Sequence, residues 1–199
     1  MSSENRDTHG RILRAAWKLL EEGQGGEVRM SDIAKEAGVS RQAVYLHFPT
    51  RTDLLVATTL YLDEVKNVDE RLAASRSAQT GVERIDAFIE AWCNYIPEIY
   101  GVAKALLIMS DTDEAARNAW HGRLHAVREG CQAAIDALER DGMLSPCYSA
   151  DEATDLLSAL LSVRTWEHLT SGCGWSQQIY LEKIKIVVRH AIVRESVVS

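Results

Sequence analysis

Apolar residues recur along this chain three or four positions apart, and capping residues, glycines and prolines separate the runs. Residues 8–22 place Ile12, Ala16, Leu19 and Leu20 on one helical face, with Leu13 beside it, and Gly23 ends the run. Residues 31–37 make two short turns whose apolar side is Ile33, Ala34 and Ala37, stopped by Gly38. Ser40 caps a third short helix, RQAVYLH, which Phe48-Pro49 closes. Thr50 and Asp53 form a capping box with Asp in the usual Glu position. That box opens a longer helix through Leu54, Leu55, Ala57, Thr58, Tyr61, Leu62 and Val65, expected to fray near Ala74-Ser75.

The order of cap, amphipathic run and stop then repeats. Thr80 with Glu83 opens a helix bearing Ile85, Phe88, Ile89, Trp92 and Ile96. Pro97 ends it or starts the next, which carries Val102, Leu106, Leu107 and Met109. Ser110 or Asp111 opens a long helix with Ala116, Trp120, Leu124, Val127, Cys131, Ile135 and Leu138, ended by Gly142. Ser149 with Glu152 caps a run of Ala153, Leu156, Leu157, Leu160 and Val163. Gly172 and Gly174 break the chain, and Ser176 precedes a last helix with Tyr180, Ile184, Val187, Val188 and Ala191. The pattern predicts an all-α chain of about nine helices, with no strand and no internal repeat.

Composition narrows the class. With 46% hydrophobic and 26% charged residues over 199 positions, the chain is ordinary globular protein, and its 3 prolines suit a mostly helical one. No apolar run reaches the ~18–20 residues of a membrane span. The N-terminal MSSENRDTHGR lacks the apolar stretch of a signal peptide, so a cytoplasmic protein is expected. Cys93, Cys131, Cys147 and Cys173 form no C-x-x-C pair; buried thiols are the expected reading and a redox switch the alternative. The net charge of -7 argues at first against nucleic acid. Its distribution changes that and still permits a local DNA-binding face. Residues 1–60 hold eight basic and eight acidic side chains, against totals of 22 and 29, so the whole excess of negative charge lies beyond residue 60.

The second and third predicted helices are short, joined by A-G-V-S and preceded by a longer first helix, which is the pattern of a helix-turn-helix. The glycine permits the tight turn and Val39 plugs the angle between the helices. The second helix of such a unit lies in the DNA major groove, with its first residues near the base edges. Those residues are Ser40, Arg41, Gln42 and Ala43. Arg reads guanine and Gln reads adenine through paired hydrogen bonds. Tyr45 and His47, one turn on, reach phosphates, and Arg51 at the start of the fourth helix adds a cation to its free amides.

The stretch from Ile12 to Leu55 resembles the DNA-binding region of TetR-type transcriptional repressors: I-L-R-A-A-W-K-L-L, then I-A-K-E-A-G-V-S, then V-Y-L-H-F, then R-T-D-L-L. The family places a Tyr and a Phe three residues apart after G-V-S, matched by Tyr45 and Phe48, and often a Lys where Arg51 stands. It often has a small residue where Gln42 stands, and it caps its second helix with Thr near the position of Arg29. Arg29 has no oxygen to cap with, so Ser31 or a frayed start is expected there, and Arg29 itself joins the DNA-binding set. The resemblance implies an N-terminal three-helix DNA-binding domain, residues 1–53, and a larger helical effector-binding and dimerisation domain, residues 54–199. It also implies a homodimer, a palindromic double-stranded operator and a small-molecule effector, with no cofactor.

The remaining residues fill out that expectation. The apolar faces of the last two helices, at Leu156, Leu160, Val163, Tyr180, Ile184 and Val187 among others, suit a four-helix dimer interface. Trp92, Tyr95, Trp120, His121, Leu124 and Trp166 are the expected effector-binding residues, because large aromatics suit an adaptable cavity for an apolar or aromatic ligand. His121 and His125 are four apart, but the H-G-R-L-H between them lacks the glutamate of a zinc motif, and no metal site is assigned. The rival reading is a helical enzyme, but no G-x-S-x-G, P-loop, dinucleotide fingerprint or Glu-x-x-His pair is present and no enzyme is expected; a helical adaptor is the third reading.

Overall fold

The computed structural model describes residues 3–23 and 28–194, and within them the fold is all-α: eleven α-helices and one π-helical turn. In chain order the helices are α1 (Ser3–Glu22), α2 (Met30–Ala37), α3 (Arg41–His47), α4 (Arg51–Val65), α5 (Val68–Arg71), α6 (Ala73–Ser77), α7 (Gly81–Ser110), α8 (Glu114–Arg140), α9 (Ala150–Leu160), α10 (Val163–Glu167) and α11 (Gln177–Ile192). The π-helical turn, His168–Gly172, follows α10 directly. A single antiparallel bridge joins Leu144 to Val193.

Local capping signals set most boundaries. The Ser40 hydroxyl accepts from the Ala43 amide at 3.1 Å, and Thr50 and Asp53 exchange their reciprocal bonds at 3.0 Å each. Ser149 and Glu152 close another such box. α2 ends in a Schellman turn: Gly38 stands at φ +65°, its amide donates to Lys35, and the Val39 amide donates to Ala34. α2 starts at Met30 and not at a Ser31 cap; the Arg29 amide donates to the Asp32 carboxylate at 3.4 Å, and the Arg29 side chain caps nothing.

Three expectations are corrected. α4 does not run to Ala74-Ser75; it ends at Val65, Asn67 takes a left-handed conformation, and two short helices follow. Pro97 does not divide two helices. α7 is continuous for 30 residues with Pro97 inside it. A proline there lacks the amide that would satisfy the carbonyl four residues back. That carbonyl belongs to Cys93, and the Gln177 side-chain amide donates to it at 2.8 Å, replacing the missing bond. The helix expected through Val163 breaks instead at Leu161. Its carbonyl accepts from the Trp92 indole at 2.8 Å, and Ser162 caps a new helix, α10.

The chain packs as two compact units. One comprises residues 1–67 and 98–122, the other 68–97 and 123–199. The first is built on Ile12, Leu20, Val44, Phe48, Leu54, Leu62 and Leu106, all buried. Within it, the Glu21 carboxylate accepts from the Gly101 and Val102 amides, and Thr52 donates to Asp113 at 2.8 Å. Asp113 also caps α8 through the Ala116 amide. The second unit is built on Ile85, Ile89, Ile135, Leu138, Leu157, Tyr180 and Ile184.

Candidate nucleic-acid interface

Helices α2 and α3 meet at the turn Gly38-Val39-Ser40, and α1 fixes that turn from outside. The Arg11 guanidinium donates to the Ala37 carbonyl at 2.6 Å and to the Gly38 carbonyl at 3.0 Å. A cation thus satisfies the last carbonyls of α2, where the helix dipole is negative. The left-handed backbone at Gly38 favours glycine, and a Cβ there would stand 3.0 Å from the same guanidinium, which would have to shift by a few tenths of an ångström.

α3 is held to the core by Val44 and by Phe48 just past its end, both buried. Arg41, Gln42, Tyr45 and Leu46 are exposed. The Arg41 guanidinium lies 5.5 Å from the centre of the Tyr45 ring, which pre-orients both. Ser40 is exposed and its hydroxyl oxygen caps Ala43, so the half-buried Ala43 has its amide already bonded. Arg29 is exposed beside the start of α2. Arg51, half-buried, is the first residue of α4. His47 is half-buried in an aromatic cluster. Its ring centre lies 5.8 Å from that of His9 and 6.3 Å from that of Phe48. Burial, and then the neighbouring His47, hold the His9 imidazole below its ordinary pKa.

The aromatic residues expected to bind an effector are only partly gathered. Trp92 and Tyr95 are in edge-to-face contact with centres 5.7 Å apart. The Trp166 indole donates to Gln177, whose own amide bonds the Cys93 carbonyl. These three belong to the second unit. The Trp92 and Trp166 indole N–H groups are already bonded, and Arg71 lies 5.4 Å from the centre of the Tyr95 ring. Trp120 packs against the core of the first unit. His121 and Leu124 are exposed. Sequence periodicity put all six on helices without showing which cores they join.

Of the residues expected at a dimer interface, Tyr180 and Ile184 are buried in the core of the second unit, and Val163 is buried as well. Leu156 and Leu160 are half-buried and Val187 is 45% exposed. The outward side of α11 also carries Ile179 and Ile186, which were not singled out from sequence. Residues 179, 186 and 187 share one helical face, a signal present in the sequence but masked by the equally regular apolar face of Tyr180, Ile184, Val188 and Ile192.

The cysteines divide two and two. Cys93 and Cys131 are buried, whereas Cys147 and Cys173 are exposed, and all four are free. Burial pushes the Cys93 thiol up to about 12 and the Cys131 thiol to about 11, so both are unreactive near neutrality. Among the described residues no cluster of three or more His, Cys, Asp or Glu is placed to hold a metal, and no helix is long and apolar enough to cross a membrane.

Residues 12–58 match the family model of bacterial regulatory proteins of the tetR family. The HTH-type transcriptional regulator CymR of Pseudomonas putida is 27% identical over 156 residues, spanning 76% of this chain and 72% of that protein. An HTH-type transcriptional regulator of Mycobacterium tuberculosis is 27% identical over 186 residues, spanning 86% of this chain and 97% of its own length. Among solved structures, a transcriptional regulator from Saccharomonospora viridis in complex with choline superposes with a TM-score of 0.81 at 24% identity, over 94% of this chain and 98% of that one.

Proposed function

This chain belongs to the TetR family of DNA-binding transcriptional regulators, and from that premise we propose that it is a homodimeric repressor released from its operator by a small, largely apolar or aromatic effector. The observation that carries the reading is α3. Its two apolar anchors, Val44 and Phe48, face the core, and Arg41 and Gln42 stand exposed on a helix pinned by Ser40 and Arg11. In this reading residues 1–53 bind DNA. Arg41 and Gln42 read base edges, while Arg29, Ser40, Tyr45, His47 and Arg51 position the backbone.

Residues 54–199 sense the effector and pair the subunits. The half-buried Leu156 and Leu160 and the exposed Ile179, Ile186 and Val187 form the contact with the second copy, backed by Val163, Tyr180 and Ile184 from within. Such a two-fold dimer suits a palindromic operator in the cytoplasm. The effector is proposed to contact Trp92, Tyr95 and Trp166. The indole N–H groups of Trp92 and Trp166 are committed, which leaves their rings as the recognition surface and favours an apolar or flat ligand. The Saccharomonospora viridis regulator holds choline, a cation that aromatic faces attract. Here Arg71 already lies over Tyr95, which favours an uncharged ligand.

Effector binding must discriminate between two conformations of the dimer to release DNA, because equal affinity for both shifts nothing. The test is selection from random duplexes, followed by a ligand screen on the selected site. Choline and uncharged aromatic compounds are compared for release of DNA and for a rise in melting temperature over the same concentrations. Failure to select any sequence would contradict the DNA-reading assignment; release by choline alone would contradict the apolar effector.

A further inference from the structure

We infer that Leu46 is a specificity-determining residue that packs against the 5-methyl group of a thymine in each operator half-site; this rests on the DNA-reading role of α3. Leu46 is 78% exposed, the highest value among the exposed large hydrophobic residues described. Its position on α3 is the reason it matters. At about 100° per residue, Leu46 points about 180° away from the midpoint of the core anchors Val44 and Phe48. Gln42, one turn earlier, lies about 40° from Leu46 around the axis. The centre of the outward face is therefore an amide and an isobutyl group side by side, with Arg41 and Tyr45 along one flank.

That pair has a chemical counterpart in the major groove. Gln forms paired hydrogen bonds with the N6 and N7 edge of adenine, and the thymine C5-methyl is the one apolar group displayed there. An aliphatic side chain beside the amide gains nothing from phosphate or from guanine and cytosine edges, which offer polar atoms. It gains from a methyl group that it removes from water along with itself. Among the described residues Leu46 joins neither hydrophobic core: Val44 and Phe48 anchor the helix, the Ser40 cap holds its start, and Arg11 holds the preceding turn.

The test uses the full-length protein and the duplex it selects from a random pool. Each thymine in a half-site is replaced in turn by deoxyuridine, which removes only the methyl group. One position is expected to lose affinity about fourfold, the worth of one buried methylene-sized group. Leu46→Ala should lose a similar factor on the thymine duplex and show no further loss on the deoxyuridine duplex. Leu46→Asn, which keeps comparable bulk, should behave likewise, and unchanged melting curves for both variants verify the fold. If no position responds to deoxyuridine, or if Leu46→Ala keeps the wild-type response, the methyl contact is wrong while the DNA-reading role of α3 stands. If the protein selects no sequence at all, both fall together.

Discussion

The Glu21 carboxylate accepts hydrogen bonds from the Gly101 and Val102 amides, at 2.9 and 3.3 Å. It thereby ties the end of α1, the helix on which the helix-turn-helix is built, to the interior of α7. The approach is close enough that a Cβ at Gly101 would collide with the Leu20 carbonyl and the Glu21 backbone. Lys66 flanks the junction, 4.9 Å from the centre of the Trp17 ring and 2.8 Å from Glu98.

Gly101→Ala is expected to destabilise the protein. In an exposed helix the change gains about 1 kcal/mol through backbone propensity. Here the obstacle is backbone, not the flexible tip of a side chain, so α1 must move away. Overpacking of this kind costs about 1–3 kcal/mol. Urea denaturation measures it, and a variant as stable as wild type would show that the α1–α7 approach is looser than described.

Glu21 also makes a pH-dependent contribution. Burial raises its pKa above the ordinary value; the Gly101 and Val102 amides and then Lys66 pull the other way without cancelling the rise. A carboxyl with a raised folded-state pKa binds its proton more tightly in the folded chain. Its contribution is therefore most favourable below the ordinary Glu pKa and declines as pH rises through the raised value. Glu21→Gln keeps an acceptor oxygen and removes the titration. Its melting temperature relative to wild type should rise between about pH 4 and about pH 7. A difference that is flat, or that falls over that range, would contradict the burial.

Val187→Glu is expected to split the proposed dimer while leaving the subunit folded. The side chain is 45% exposed within one chain, so the charge reaches water once the partner has gone. Inside an interface it would be an unpaired buried charge, which costs several kcal/mol. Ile184→Glu should instead unfold the protein, because Ile184 lies in the core. Light scattering with circular dichroism separates the two outcomes. A wild-type protein that is monomeric at micromolar concentration would remove the proposed interface.

Local signals make the capped helix starts and the facing of α3 legible. The caps at Ser40, Thr50 and Ser149 each act across three residues, and the i, i+4 pair Val44 and Phe48 fixes which way α3 faces. The boundaries that differ depend on distant partners. Pro97 stays inside α7 because Gln177, 84 residues from Cys93, supplies the missing donor, and α9 stops where Trp92 takes the Leu161 carbonyl. On α11 one apolar stripe faces the core and a second faces outward. Helical periodicity identifies both but cannot rank them, which is why Tyr180 and Ile184 were placed with Val187.

The central claim, that α3 reads bases, is tested most directly by measuring affinity for the selected operator against a scrambled duplex of equal length. Wild type, Arg41→Ala, Gln42→Ala and Arg51→Ala are compared over a range of salt concentrations. Arg41→Ala and Gln42→Ala should lose about 1–3 kcal/mol of discrimination, the worth of a bidentate base contact. Arg51→Ala should weaken binding to both duplexes alike and flatten the salt dependence. Full operator selectivity in both the Arg41→Ala and Gln42→Ala proteins would contradict the account.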